Sequence, residues 1–270
     1  MTRNPRKIYH RKWFQALLAL LVLAGILAGI SYSWFFQVLP QSAIRLLADI
    51  QAPLENERIL VFTPHPDDET IACGGYLATA IADGASVWIA LVTNGNKRGQ
   101  ERIRDTEFKN AAGALGVAEA NLFFLGYPDG ALKKQNPEEL RARFDEIISQ
   151  VKPRIVFAPH PLDHHPDHRT TGKIVAEAVA GKEIKLYQYL VHHNLFPRPK
   201  KFDPDLYLLP PARMFKFNRA WQKFMLKPEM EDRKLEAVLK YKTQLHDRRD
   251  PLLRGLLLSM IRQNELFAAP

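Results

Sequence analysis

Two stretches of the sequence concentrate side chains that titrate or bind metal ions. The first, HPDDE at 65–69, follows the apolar run RILVFTP, and the second, HPLDHHPDH at 160–168, follows the apolar run RIVFAP. A turn beside a proline needs only one aspartate, so both stretches carry more polar groups than a turn requires. This surplus of imidazoles and carboxylates indicates one reactive site built from two distant parts of the chain.

The donor types favour a catalytic metal site. Imidazole and carboxylate without thiolate suit Zn²⁺ and also Fe²⁺, Co²⁺, Ni²⁺ or Mn²⁺, and the single cysteine, Cys73, excludes a cysteine-rich zinc site. His65 and Asp68, three residues apart, can wrap one ion, and a distant histidine then completes a set of three ligands with one open position. We expect the adjacent side chains of Asp67 and Asp68 to point in different directions, so that one carboxylate can bind the ion while the other activates a water molecule.

Short apolar runs that alternate with helical patterns position these two stretches. The alternation predicts strands over RILVFTPH, ASVWIALVTNG, NLFFLGYPDG, RIVFAPH and KEIKLYQYLV. It therefore predicts an α/β fold, a Rossmann-like and mostly parallel sheet with helices on both faces. Ligands of such sheets bind at the carboxyl ends of the strands, so we expect the two polar stretches to follow neighbouring strands and to meet at one edge.

The last third of the chain has less regular patterning. The sequence predicts one helix over EMEDRKLEAVLKYKTQL and another over DPLLRGLLLSMIRQNELF, where apolar pairs recur every four residues. The basic, proline-rich residues 192–228 are interpreted either as a wall of the active site or as a surface excursion. No glycine fingerprint or phosphate-binding loop follows the first strand, so we expect no nucleotide cofactor.

The N-terminal region predicts a membrane anchor. No charged residue occurs between Lys12 and Arg45, and the apolar run at 13–39 is long enough to span a bilayer. The basic residues before the run favour a cytoplasmic N-terminus. A cleaved signal peptide is the alternative, but its apolar core is usually only about 7–15 residues long. We therefore expect a single-pass protein of the bacterial inner membrane with a periplasmic or otherwise extracytoplasmic catalytic domain.

These features predict four segments: a basic cytoplasmic N-terminus at 1–12, a transmembrane anchor at 13–39, a juxtamembrane linker at 40–57 and a catalytic domain at 58–270. The net charge of +9 is compatible with nucleic acid, an anionic lipid or phosphorylated glycan, or a solvated surface. An extracytoplasmic domain meets little nucleic acid, so we expect none as a partner. The lipid bilayer is the expected partner of the anchor.

The motifs PHPDDE at 64–69 and HHPDH at 164–168 together resemble those of the PIG-L/LmbE-like de-N-acetylase family. Members of this family are zinc-dependent enzymes that remove acetyl groups from N-acetylglucosaminyl conjugates. The resemblance covers about residues 58–270, and RGQERIRDTEFKNAAGALGV and LKYKTQ support it as segments similar to two helices of the family.

The resemblance implies a role for several residues of both motifs. It makes His65, Asp68 and His168 the zinc ligands and Asp67 the general base that takes a proton from water. Which of the two aspartates binds the metal follows from the resemblance and not from their spacing.

The remaining implied roles concern the substrate and the orientation of ligands. His165 would stabilise the oxyanion and help protonate the leaving amine, Asp167 would orient an imidazole, and Arg104 would contact the substrate. His164 is interpreted as a rim residue and Asp163 as a neighbour of the ligands. The sequence leaves His192 open between a pocket wall and a structural role.

The expected function is that of a membrane-anchored, metal-dependent deacetylase, with Zn²⁺ or another divalent transition metal as cofactor. The expected substrate is an N-acetylglucosamine-type sugar in a membrane-associated glycoconjugate, glycolipid or polysaccharide. One alternative is a metal-dependent hydrolase of another amide or ester bond; for a phosphoesterase, the usual GD-x-H and GNH segments are absent. The other alternative is a periplasmic metal-binding protein, which would not need the aspartate pair.

Overall fold

The structure is a computed structural model, and it describes residues 5–35, 38–96, 99–216, 221–247, 249 and 251–269. The chain divides into two compact units, Met1–Val38 and Leu39–Pro270. In its described residues the first unit forms one helix, α1, over Pro5–Phe35. Within α1 the 21 residues Lys12–Tyr32 are long and apolar enough to cross a membrane. A signal sequence meets the same test of length and composition, so the anchor remains a prediction.

The second unit contains a sheet and helices, with short 3₁₀ helices over Gln41–Leu46, Glu119–Asn121 and Leu132–Lys134. Its strands in the described residues are β1 (Ala48–Asp49), β2 (Arg58–Thr63), β3 (Ser86–Thr93), β4 (Leu122–Tyr127), β5 (Ile155–Pro159), β6 (Lys185–Tyr189), β7 (Trp221–Met225) and β8 (Asn264–Ala268). Its helices there are α2 (Asp68–Ala82), α3 (Glu101–Leu115), α4 (Pro137–Val151), α5 (Pro166–Val179), α6 (Ala212–Lys216), α7 (Pro228–Val238), α8 (Lys242–Leu245) and α9 (Pro251–Ser259).

The strands form one sheet in the order β1-β7-β8-β6-β5-β2-β3-β4. All neighbours run parallel except β8, which is antiparallel to both β6 and β7. The two strands that precede the polar stretches, β2 and β5, are direct neighbours, with Ile59 opposite Ile155 and Val61 opposite Phe157. The predicted α/β class and the predicted adjacency of these two strands are confirmed.

Alternation along β2 explains how both faces of the sheet are covered. Ile59 and Val61 belong to a core with residues of α2, α3 and the segment after α7. Leu60 and Phe62 point to the other face and pack in a second core with residues of α4 and α5. A strand buried on both faces reads as a continuous apolar run, which is why RILVFT carries no charged residue after Arg58.

The C-terminal helix predictions were partly wrong. The helix predicted over residues 250–267 ends at Ser259, and Asn264–Ala268 form β8 between β6 and β7. All five side chains of β8 are buried, a pattern that helical spacing cannot provide because a helix buries one face. The helix predicted over residues 229–245 is divided into α7 and α8, and the sequence did not indicate β1 and β7.

Candidate active site

The two polar stretches lie side by side at the carboxyl edge of the sheet. The loop after β2 carries His65 and Asp67 and leads into α2, which begins at Asp68. The loop after β5 ends at His165, the N-cap of α5. Proline follows at the first position of α5, where its missing N–H costs no helical hydrogen bond, so the helix begins at once and presents His168 in its first turn.

Three predicted ligands bring their donor atoms together. His65 Nδ1 lies 3.2 Å from Asp68 Oδ2, which lies 3.0 Å from His168 Nε2. The two imidazole nitrogens are 3.3 Å apart. Donor atoms bound about 2.0–2.2 Å from one zinc ion are spaced by roughly 3–3.5 Å, so these distances fit a shared ion.

Burial of the three donors supports the same interpretation. The side chains of Asp68 and His168 are 0% exposed, and that of His65 is 8% exposed. Asp68 Oδ1 is buried and has no hydrogen-bond partner among the described residues. Oδ1 is the oxygen of Asp68 that does not meet His65 and His168, and a buried carboxylate oxygen without a partner is costly. A cation bound by the Asp68 carboxylate would offset that cost. The donor set therefore fits a zinc ion.

Further donors surround the three ligands. The side chains of His65, His165 and His168 place one ligand atom each within 4.8 Å of one another, and so do those of Asp68, His168 and His192. A third such set joins His65 to Asp129 and Asp167. The centre is thus richer in donors than one ion needs, and the additional groups are available to bind or protonate a substrate.

Two buried aspartates contact the imidazoles of the predicted ligands. Asp167 Oδ2 lies 3.2 Å from His65 Nε2, and the same carboxylate accepts hydrogen bonds from the backbone N–H groups of Gly130 and Leu132 at 2.7 and 3.1 Å. Asp163 Oδ2 lies 3.2 Å from His168 Nδ1. In each histidine the nitrogen that faces away from the three-donor cluster therefore meets a carboxylate, which fixes the ring orientation of a metal ligand.

The histidines of the site differ in the direction in which their pKa values are shifted. Burial lowers the pKa of His168, but Asp68 and Asp163 outweigh it and raise the pKa to about 9. Burial, together with His65 and His168, lowers the pKa of His165 to about 4. The pKa of His192 is lowered to about 3, first by burial and then by His168. His165 and His192 are therefore neutral at pH 7.

Asp67 faces the cavity rather than the three-donor cluster. Its carboxylate lies 3.6 Å from the Arg104 guanidinium. Burial and the charge of Asp68 raise the pKa of Asp67 to about 8, against the lowering effects of Arg104 and His65. A carboxyl group with a pKa close to neutrality is suited to take up and return a proton. The backbone of Asp67 has φ 125°, a conformation that L-residues rarely adopt.

Arg104 is buried at the wall of the cavity. Its guanidinium donates to the carbonyl oxygens of Gly95 at 3.0 Å and Pro66 at 2.9 Å. It also lies 3.5 Å from Asp129. The side chain thus holds the loop before Asp67 while it borders the cavity, as a predicted contact for substrate should.

The cavity beside the three-donor cluster has a volume of about 160 Å³. Its polar side is formed by the predicted site residues His65, Asp67, Arg104 and His165, joined by Asp129, His192 and Gln244. Its other side is aliphatic and consists of Ile71, Leu253, Leu256 and Leu257.

Sequence reasoning missed some of these residues. Asp129 lies at the end of NLFFLGYPDG, a run that the sequence analysis assigned to a strand and not to the site, although Asp129 follows β4 at the same edge of the sheet. His192 was left undecided and lines the cavity. His164 is exposed, as expected of a rim residue, and its ring lies 4.3 Å from that of His193. His160 stacks on Trp221 at 5.7 Å.

Residues 60–179 match the family model described as GlcNAc-PI de-N-acetylase, PIG-L. These residues form a PIG-L family domain. The resemblance inferred from the two motifs is confirmed, and every predicted site residue lies within the matched segment.

The PIG-L domain is similar to several known sequences and structures. The probable N-acetyl-alpha-D-glucosaminyl L-malate deacetylase 2 of Bacillus anthracis is 30% identical over 141 residues, covering 47% of this chain and 62% of the relative. The diacetylchitobiose deacetylase of Thermococcus kodakarensis is 32% identical over 136 residues, covering 46% and 49%. A conserved protein of Thermus thermophilus has a similar structure, with a TM-score of 0.54, 28% identity and coverage of 74% of this chain and 84% of that chain.

The match to the sequence relatives is partial. The chain covers 62% of the Bacillus anthracis protein and 49% of the Thermococcus kodakarensis protein. The comparisons therefore establish the family of residues 60–179. They do not by themselves establish the activity of the whole chain, which is proposed below.

Proposed function

We propose that this protein is a zinc-dependent de-N-acetylase that removes the N-acetyl group from an N-acetylglucosamine-type sugar. The observation that carries the proposal is the arrangement around one cavity. Three buried donors with mutual distances of 3.0–3.3 Å lie beside an aspartate that faces the cavity instead of the donors. Hydrolysis of an amide needs such a separation, because the group that holds an ion and the group that moves a proton have to be different.

His65, Asp68 and His168 would hold the zinc ion. A bound zinc ion would polarise the acetamide carbonyl and acidify a water molecule. Asp167 and Asp163 contribute by fixing the rings of the two histidine ligands, so that their donor nitrogens converge without rearrangement. Other divalent transition metals accept the same donor types.

Asp67 acts as the general base of the proposed reaction. It takes a proton from water as the water attacks the acetyl carbonyl carbon. With its pKa raised to about 8, the protonated carboxyl group can then give this proton to the departing amine. The amine leaves only when protonated, so the same carboxyl group serves both halves of the reaction.

His165 donates a hydrogen bond to the carbonyl oxygen as negative charge develops there. Its Nδ1 accepts from the backbone N–H of Asp167 at 3.3 Å, so the proton of the neutral ring is placed on Nε2. The lowered pKa of His165 keeps the ring neutral, and a neutral ring donates through a single N–H. A donor that is already aligned stabilises developing charge without reorganisation.

Arg104 and Asp129 are assigned to the sugar. They share the polar side of the cavity and offer a donor and an acceptor, the pair that a sugar hydroxyl can satisfy. The aliphatic side, which includes Leu253 and Leu257, suits a substrate with an apolar portion. We therefore place the sugar in a membrane-associated glycoconjugate, glycolipid or polysaccharide.

The predicted segments complete the proposal. Residues 13–39 anchor the chain in a bacterial inner membrane, and the catalytic domain at 58–270 lies on the periplasmic or extracytoplasmic side. The predicted linker at 40–57 is more than a connection, because its strand β1 pairs with β7 in the sheet of that domain. The basic N-terminus at 1–12 supports this orientation. The length and apolar character of Lys12–Tyr32 support a single span.

Acetate release from N-acetylglucosamine conjugates by the purified full-length protein tests the proposal. We expect equal amounts of acetate and free amine, loss of both after chelation, and recovery with Zn²⁺. His165→Ala should lower the rate, and His164→Ala, at the exposed neighbouring position, is the matched control with an unchanged rate. A metal-loaded protein that releases phosphate from esters, or releases nothing, would favour the alternative hydrolase or the metal-binding protein.

A further inference from the structure

Asp67 holds a costly backbone conformation that something nearby has to stabilise. Its φ of 125° lies in the region that favours glycine, and a residue held there costs about 1–3 kcal/mol. Ile71, one turn later, donates its N–H to the Asp67 carbonyl at 3.0 Å, which fixes the residue from the C-terminal side. The N–H of Asp67 itself points to the side chain of Glu69, 3.3 Å from Oε2.

Glu69 is completely buried and is held by neutral hydrogen-bond donors. The hydroxyl groups of Tyr241 and Thr70 both donate to its Oε1 at 2.5 Å. The Thr63 hydroxyl lies 3.3 Å from its Oε2. Among the described residues, no lysine or arginine forms an ion pair with Glu69. A buried carboxylate without a cation is expensive, so its presence calls for a specific use of its oxygens.

The positions of these contacts indicate what the two carboxylate oxygens of Glu69 do. Oε1 receives the two hydroxyl groups, and this fixes the carboxylate plane so that Oε2 faces the N–H of Asp67. Tyr241 follows α7, so a residue far along the chain determines where Glu69 lies. An acidic residue in the first turn of a helix is favourable in any protein, but that general effect requires neither a tyrosine from a distant part of the chain nor a strained neighbour.

We propose that Glu69 is a positioning residue that holds the Asp67 backbone in its left-handed conformation and so directs the Asp67 carboxylate into the cavity. The inference rests on the proposed function in one respect, the role of Asp67 as base. Without the Oε2 acceptor, residue 67 returns to negative φ, and its carboxylate leaves the cavity and the neighbourhood of Arg104.

Kinetics in a double-mutant cycle test the inference. Glu69→Ala should lower kcat by about 5- to 150-fold, the factor that corresponds to the strain no longer supported, with little change in KM. In an Asp67→Asn background the same substitution should change kcat less than about twofold, because the group it positions is already disabled. Glu69→Gln keeps an acceptor for the Asp67 N–H and should restore most of the lost rate. Equal losses in both backgrounds would overturn the inference.

Glu57 provides the matched control. It is also buried, and its Oε2 accepts a nearby backbone N–H, that of Leu54, at 3.1 Å. It lies before β2, at the opposite end of that strand. Glu57→Ala should lower thermal stability and leave kcat unchanged. If Glu69→Ala fails to fold, Tyr241→Phe removes one of the two hydroxyl donors and should lower kcat severalfold, again only when Asp67 is intact.

A crystal structure of Glu69→Ala separates this inference from the proposed function. We expect negative φ at residue 67 with the zinc content unchanged. A retained φ near 125° would overturn the positioning role whether or not the protein deacetylates sugars. Conversely, a wild-type protein that binds zinc but releases no acetate would refute the proposed function and leave the backbone measurement valid.

Discussion

Gly172 of α5 lies one turn after the proposed metal ligand His168. Gly172 packs against the end of β5, where an added Cβ would lie 2.1 Å from the carbonyl oxygen of Pro159. Non-bonded carbon and oxygen atoms do not approach within about 3 Å, so Gly172→Ala forces α5 away from the strand by roughly 1 Å. His168 lies four residues earlier on the same side of the helix and has to move with it.

The size of the effect follows from this overlap. Overpacking of a tight contact costs about 1–3 kcal/mol, and because the obstructing atom belongs to the backbone we expect the upper part of that range. In a domain of this size each kcal/mol lowers Tm by about 2–4 °C. Displacement of one of three donors by roughly 1 Å should also weaken zinc binding at least tenfold, since zinc–nitrogen distances tolerate only about 0.2 Å.

Thermal unfolding of the chelated protein and a zinc titration measure the two effects separately. Gly113→Ala is the matched control: Gly113 lies within α3, and an added Cβ meets no atom within 4 Å. That variant should be more stable by about 0.5–1 kcal/mol and bind zinc normally. If Gly172→Ala unfolds and binds zinc like the wild type, the tight contact is not real. If only its stability falls, the link from helix position to metal affinity is refuted.

Other variants test the assignment of the site. Asp67→Asn should retain zinc and fold yet release acetate at least about a hundredfold more slowly, because only the proton acceptor is lost. Asp68→Asn should instead lose zinc, since an amide oxygen is a weaker ligand; the reverse pair of zinc contents would exchange the two roles. His168→Ala should lose zinc because two protein ligands remain, and near-stoichiometric metal would show that another histidine binds it. Alkaline phosphatase fused after Pro270 should be active and green fluorescent protein dark, and the opposite results would invert the topology.

The sequence predicted the carboxyl edge of the sheet well because local signals there agree with the tertiary arrangement. β2 and β5 are buried runs with turn residues behind them, and parallel neighbours bring their ends together without further information. Spacing alone did not separate the roles of Asp67 and Asp68. Their difference depends on one backbone angle at Asp67, which the neighbouring Glu69 stabilises, and Glu69 is in turn held by Tyr241 from a distant position in the sequence.

The placement of β8 shows the limit of local patterns. The apolar pairs at four-residue spacing extend past α9 to Met260 and Ile261 but not to Asn264 and Glu265. The five residues of β8 are too short a run for periodicity to distinguish helix from strand. Tertiary contacts determine that Asn264–Ala268 form a strand, because this segment pairs with β6 on one side and with β7 on the other. Asp129 was missed for a related reason, because the residues PDG are typical of a turn and do not by themselves indicate a site. Asp129 lines the cavity only because β4 lies two strands from β2 in the sheet.

The strand that the sequence did not predict also supports the active site. Glu265 of β8 accepts the backbone N–H groups of Gly75 and Tyr76, both at 2.8 Å, within α2. Its charge is balanced by Lys234, also fully buried, at 2.8 Å. Removal of one partner of a buried pair costs about 3–5 kcal/mol, so β8 and α7 together fix the helix whose first residue is Asp68. The family match ends at residue 179, but the geometry of the proposed ligands depends on residues up to 265. The proposed catalytic domain therefore depends on the C-terminal segment, and sequence differences there can alter the candidate site without changing either motif.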